Sequence, residues 1–264
     1  IEAAGNLTYL LGVGEKGRLQ LEIDVRGTSA HASTPWQGTN ALFALSEVVK
    51  RIEAYEPERD TSTSLFQHLS TFAIEDRPSV GNIDQIIADT ENQNPRFASI
   101  MRALSRMTIT PTMIQGGIKS NSVPESVRLT CDVRTLPHQD EAYVRSELEK
   151  ILEGIPGVEI DIDYMSVPNA SPFETDFARR IQLSAAIALD RDDIQLVPSL
   201  STGFTDSRFT RNLGTTTYGF VGSHPDDDPM LAHVHGTDES VGIQSLISGT
   251  KIMLTLAYDL LALK

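Results

Sequence analysis

Leu19-Gln-Leu-Glu-Ile-Asp-Val-Arg26 alternates apolar and polar side chains without a break. Successive side chains of a strand point to opposite faces, so the run reads as a half-buried strand with Leu19, Leu21, Ile23 and Val25 inward. The alternation returns at Val127, Leu129, Cys131 and Val133, with Arg128, Thr130, Asp132 and Arg134 between them. It returns again at Val158, Ile160, Ile162 and Tyr164, and Met107 to Ile114 reads as one more strand. Helical spacing fills the gaps. Leu42, Leu45, Val48, Val49 and Ile52 follow a capping Asn40 and stop at Pro57, and Val144, Leu148, Ile151 and Leu152 line a helix over 139–153. With 57–106 set aside as an insertion, residues 17–166 read β-α-β-β-α-β. That ferredoxin-like order predicts an antiparallel sheet with both helices on one face.

Outward from this unit, Asn6 to Gly14 reads as a short strand and Glu15-Lys-Gly17 as a turn signal. The insertion holds turn clusters at 60–64 and 77–81 and two amphipathic helices near 82–91 and 95–105. After Pro168, Phe173, Phe177, Ile181 and Ile187 line a helix at 174–189, and an apolar run spans Ile194 to Leu200. A polar stretch from Ser201 to Arg208, a strand from Thr215 to Val221, a His- and Asp-rich loop at 223–238 and a long helix from Glu239 follow. This order predicts α/β structure for 167–264. Ile1-Glu-Ala-Ala-Gly5 has neither an initiating Met nor a signal-peptide core, so residues 1–16 read as the end of a segment of a longer chain.

The 264 residues are 40% hydrophobic and 22% charged, enough to bury a sizeable core. A net charge of -14 argues against nucleic acid as a partner, because phosphate neutralisation needs clustered Lys and Arg. The single cysteine, Cys131, excludes an intrachain disulfide and a Cys-rich zinc site. No apolar run is long enough to cross a bilayer.

Few residues are candidates for chemistry. His31 sits in a loop of small residues, where an imidazole is either simply solvated or presented to a ligand. His233 and His235 are two apart, so on extended backbone they share a face and suit zinc, with Asp238 or Glu239 beside them. Thr237 or Asp238 equally suits a helix cap. Arg134 and Arg208 read either as surface ion pairs or as bidentate holders of a carboxylate. His138-Gln-Asp140 reads as a solvated helix start, with Asp140 near the helix N-terminus.

Four segments, in order, resemble the M20 family of zinc metallopeptidases. Gly27-Thr-Ser-Ala-His-Ala-Ser-Thr-Pro-Trp-Gln-Gly-Thr-Asn-Ala41 is similar to its first lid signature. Gly116-Gly-Ile-Lys-Ser-Asn-Ser-Val-Pro124 with Asp132-Val-Arg-Thr-Leu-Pro137 resembles the second. Thr205-Asp-Ser-Arg208 and His235-Gly-Thr-Asp-Glu239 resemble the C-terminal motifs. The resemblance implies a ferredoxin-like lid domain that dimerises, set into an α/β zinc-peptidase domain whose C-terminal part is 167–264. It implies His31 as oxyanion stabiliser, often in the partner subunit's site, and Asn121, Arg134, Gly203 and Arg208 at the substrate. It implies His235 as a zinc ligand. Two zinc ions per site, with cobalt or manganese as substitutes, would cleave an amide bond of a small peptide or N-acyl amino acid bearing a free carboxylate.

The family's remaining metal ligands and its general base fall upstream of Ile1 in this pattern, so the 264 residues alone are expected to be inactive. Two other readings compete. One is a non-catalytic ferredoxin-like module that dimerises or binds a small ligand. The other is a one-metal hydrolase using His233, His235 and Asp206 or Asp238.

Overall fold

One residue, Lys16, separates two strands that belong to different sheets. The computed structural model describes residues 1–3, 5–227, 232–234 and 236–262. Strands β1 (Glu2–Ala3) and β2 (Asn6–Glu15) precede Lys16, and β3 (Gly17–Arg26) follows it. Then come α1 (Ala41–Ala54), a 3-10 helix (Ser64–Phe72), α2 (Ile83–Glu91), α3 (Pro95–Leu104), β4 (Thr108–Gly116) and β5 (Ser126–Thr135). The chain continues through α4 (Glu141–Leu152), β6 (Val158–Ser166), β7 (Asn169–Ala170), α5 (Asp176–Leu189), β8 (Ile194–Ser201), α6 (Ser207–Asn212) and α7 (Ile243–Leu261).

The later sheet runs β4-β5-β3-β6 with every neighbour antiparallel, the ferredoxin-like arrangement expected from the sequence. Leu19, Leu21, Ile23 and Val25 lie with Val127, Leu129, Cys131 and Val133 against Leu45 and Val48 of α1 and Val144 and Leu148 of α4. Each such burial is worth roughly 1.5–3 kcal/mol. Side-chain caps start both helices: Asn40 Oδ1 accepts from the Leu42 N–H at 3.0 Å, and Asp140 Oδ1 from the Tyr143 N–H at 2.9 Å. On the opposite face Arg128 bridges Glu22 at 2.7 Å and Asp24 at 2.8 Å.

In the earlier sheet β2 is antiparallel to β1 and β7 and parallel to β8. Its Leu7, Tyr9, Leu11 and Val13 pack with Ile181 and Ala185 of α5 and Ile252 and Leu256 of α7. The 57–106 segment gathers its own apolar residues, among them Leu65, Leu69, Ile83, Ile87 and Met101, and sets them against Val197 and Leu200 of β8. Helices α2 and α3 lie where the periodicity predicts them. The 3-10 helix was not anticipated, although Leu65, Phe66, Leu69 and Phe72 are buried at helical spacing; it lacks a side-chain cap and kinks at His68.

Two readings need correction. Thr215 to Val221 is not a strand. Its backbone pairs with β2 at the Gly12–Gly219 bridge alone among the described residues, because the Thr217 N–H is taken by Ser171 Oγ and the Thr217 carbonyl by Arg211. The polar stretch from Ser201 runs into helix α6, which carries Arg208. The last helix begins at Ile243, not Glu239, and neither Thr237 nor Asp238 caps it; Asp227 Oδ2 instead accepts from the Ser245 N–H at 2.6 Å. No helix of the described residues is long and apolar enough to cross a membrane.

Lys16 is 1% exposed. Its ammonium donates to the carbonyls of Ala103 at 2.6 Å and Arg106 at 2.8 Å, where α3 ends, and its N–H donates to the Ser201 carbonyl at 3.0 Å. Burial, reinforced by Arg134 and Arg106, pulls its pKa down to about 7. Between that value and the ordinary lysine range the unfolded chain binds more protons than the folded one, so stability rises with pH there. Urea unfolding between pH 7.5 and 9.5 is expected to show the wild type gaining on Lys16→Met by roughly 1 kcal/mol per pH unit. A gap independent of pH would mean that Lys16 keeps its proton.

Candidate functional site

The residues singled out from the sequence fall into two groups, one at each end of β5. At the first end the loop 28–39 is closed by paired hydrogen bonds between Thr28 and Thr39, at 2.9 and 3.0 Å. Glycine makes the closure possible, since a Cβ on Gly27 would lie 2.1 Å from the Thr39 carbonyl oxygen and one on Gly38 would lie 2.4 Å from that of Thr28. The loop is strapped to 121–123: the Ala32 N–H donates to the Asn121 carbonyl at 3.0 Å and the Val123 N–H to the Ala30 carbonyl at 2.8 Å. His31 and Asn121 are thereby brought together, both exposed. The Ser33 N–H, which can only donate, faces His31 Nδ1 at 3.2 Å, and the Ser33 hydroxyl lies 2.7 Å from it. That contact assigns the neutral ring its proton on Nε2, leaving an N–H donor on the side away from Ser33.

At the other end three guanidinium groups gather around Phe204. Arg18 lies 5.0 Å, Arg134 5.7 Å and Arg208 4.5 Å from the ring centroid, within cation–π range. Asp132 joins two of them, accepting from Arg18 Nε at 2.9 Å and Arg134 Nε at 2.5 Å. Arg134 also reaches the Thr202 carbonyl at 3.4 Å, beside Gly203, whose N–H donates to Ser201 Oγ at 3.2 Å. Arg208 has no ion-pair partner among the described residues, and its Nη1 is buried without a hydrogen bond. A buried donor of that kind is costly unless an acceptor arrives, and a carboxylate is the natural one.

Arg134, Gly203 and Arg208 thus converge, and His31 with Asn121 does not join them. Eight residue steps of β5 separate the two ends, about 27 Å at strand rise. Arg18 and Phe204 were not anticipated. Arg18 stands opposite Arg134 in the β3–β5 register, and that pairing was the available signal. His138 meets Asp60 at 3.4 Å, at a helix start as read from the sequence.

No three or more His, Cys, Asp or Glu side chains converge to hold a metal ion among the described residues. His235 lies outside the described residues. The one-metal reading needs His233 with His235 and Asp206 or Asp238, and its His235 is not among the described residues. His233 and Asp238 both adopt left-handed backbone, with φ of 49° and 60°.

A family model, the M20 peptidase dimerisation domain, matches residues 13–157. Carboxypeptidase S of Saccharomyces cerevisiae is 26% identical over 279 residues, covering 89% of this chain and 47% of its own. An N-fatty-acyl-amino acid synthase/hydrolase of Homo sapiens is 25% identical, covering 95% and 50%. The chain spans about half the length of these curated relatives. Among solved structures, an M20 family metallo-carboxypeptidase of Sulfolobus solfataricus aligns with a TM-score of 0.63 at 18% identity, over 97% of this chain and 61% of that one. A dipeptidase of Saccharomyces cerevisiae aligns at 0.64 and 12%, over 96% and 56%. At these identities the structural likeness speaks for the fold.

Burial raises the Asp132 pKa, but the hydrogen bonds from Arg134 and Arg18 outweigh it and hold the carboxyl below its ordinary range. A depressed carboxylate stabilises above its unfolded pKa and loses that contribution as pH falls through the folded value. Asp132→Asn is expected to cost about 1–3 kcal/mol at pH 7, with the gap to wild type closing below about pH 4. Chemical denaturation at both pH values reads the difference.

Proposed function

The chain belongs to the M20 peptidase family through its dimerisation domain, and from that premise we propose that it is the lid and substrate-holding part of an amide-cleaving hydrolase. Its substrate would be a small peptide or N-acyl amino acid with a free carboxylate. The observation that carries this reading is Arg208, a guanidinium stacked on Phe204 with a buried, unpartnered Nη1. Arg208 and Arg134 would hold the carboxylate, Gly203 would leave room beside them, and Asn121 would meet the substrate from the His31 loop.

His31 would donate from Nε2 to the oxyanion that develops on the scissile carbonyl. The His31 loop and the arginine cluster sit at opposite ends of β5, with about 27 Å of strand between them, too far for both to act on one small substrate within one chain. They can act together if two chains each contribute one of them, which favours a homodimer. β4 suits the seam. It is an edge strand that leaves Met113 53% and Ile114 60% exposed, next to Ile118 at 91%. Such an edge is a ready template for pairing with a second copy.

Zinc belongs to this reading, with cobalt or manganese as substitutes and His235 as the ligand from this chain. The described residues do not by themselves fit a metal centre; what they supply is the holding and stabilising of charge.

In the full-length enzyme His31→Ala is expected to lower turnover about 10²–10³-fold with metal content unchanged. Mixing His31→Ala with Arg208→Ala chains should return part of the activity, because one site of each mixed dimer is intact. Absence of rescue in a mixture shown to contain mixed dimers would defeat the shared-site reading. Ile114→Asp should shift the enzyme from dimer to monomer in sedimentation velocity and remove turnover with it. A monomer that remains active would do the same damage to the reading.

A further inference from the structure

α6 carries Arg208 but buries no apolar residue of its own. Six residues without an apolar anchor do not hold a helix in place. The anchoring comes from Glu15, the last residue of β2, which is 2% exposed. Its Oε1 accepts from the Thr205 N–H at 3.1 Å and from the Thr205 hydroxyl. Thr205 Oγ1 in turn accepts from the Ser207 N–H at 3.1 Å, at the first residue of α6. The same Glu15 oxygen lies 3.4 Å from Arg211 Nη1, in the last turn of α6. Arg211 also donates to Asn169 Oδ1 at 2.8 Å and to the Thr217 carbonyl at 3.0 Å. One carboxylate therefore grips the helix at both ends, with Arg208 between them.

As a stabilising device this arrangement is poor. Glu15 Oε2 is buried with no hydrogen-bond partner, and a buried ion pair seldom outperforms an apolar replacement of the same shape. What it supplies is a fixed direction for α6. We propose that Glu15 is a positioning residue that aims the Arg208 guanidinium at the carboxylate of the substrate. This rests on the clamp role of Arg208 given above.

The test compares hydrolysis of an N-acyl amino acid with that of its carboxamide by the full-length enzyme. Glu15→Gln removes the charge facing Arg211. Thr205→Val removes the hydroxyl at the exposed end of the network and serves if the buried substitution does not fold. Either is expected to raise KM for the carboxylate substrate about tenfold or more, with kcat and the carboxamide rates changing less than about threefold. Thr205→Ser, which keeps the hydroxyl, should restore the preference for the carboxylate. Equal losses on both substrates would reduce Glu15 to a structural role and overturn the proposal. So would an unchanged preference in folded Glu15→Gln and Thr205→Val when Arg208→Ala abolishes it. If Arg208→Ala itself leaves the preference intact, the clamp reading fails first, and the proposal fails with it.

Discussion

Strand rise sets the terms on which this chain can act. At about 3.4 Å per residue, β5 holds its two ends roughly 27 Å apart, and neighbours paired along its whole length keep it from folding back. One end carries the 28–39 loop with His31, and the other carries Arg134 and its partners around Phe204. No side chain is long enough to close such a gap. On the proposed function a small substrate that needs both groups requires a second chain, and the edge strand β4 leaves Met113 and Ile114 exposed on that sheet.

The joint between the two sheets is built from charge rather than grease. Glu15 and Lys16 are adjacent, 2% and 1% exposed, and reach in different directions, one to α6 and the other to the end of α3. Two buried ionisable groups cost solvation that apolar residues would not. In exchange each meets several partners at fixed geometry, where an apolar contact would tolerate sliding. The earlier sheet is thus tied to the later one, to the 57–106 segment and to helix α6, which carries Arg208, all within two residues of chain.

Local periodicity made much of the fold legible. β3, β5 and β6 show their alternation directly, α1 and α4 show their apolar stripes, and α1 shows its capping Asn40. Elsewhere the local pattern was overlooked or misled. The 3-10 helix at Ser64–Phe72 kinks at His68, and the β-branched run at Thr215 looks like a strand although side chains of Ser171 and Arg211 occupy its backbone groups. The candidate site was legible only where motifs carried it. His31, Asn121, Arg134, Gly203 and Arg208 were named from a resemblance, whereas Arg18, Phe204 and Glu15 belong to no motif.

The sequence by itself determined the order β-α-β-β-α-β, the inward faces of its strands and the cap of α1, because each depends on residues no more than a few positions apart. Tertiary structure alone decided which residues meet across long separations. It set Arg18 opposite Arg134 in register, Glu15 against Thr205 and Arg211, and Lys16 against the carbonyls of Ala103 and Arg106. Those contacts depend on how strands pair and where buried charge finds partners, and neither leaves a periodic trace along the chain.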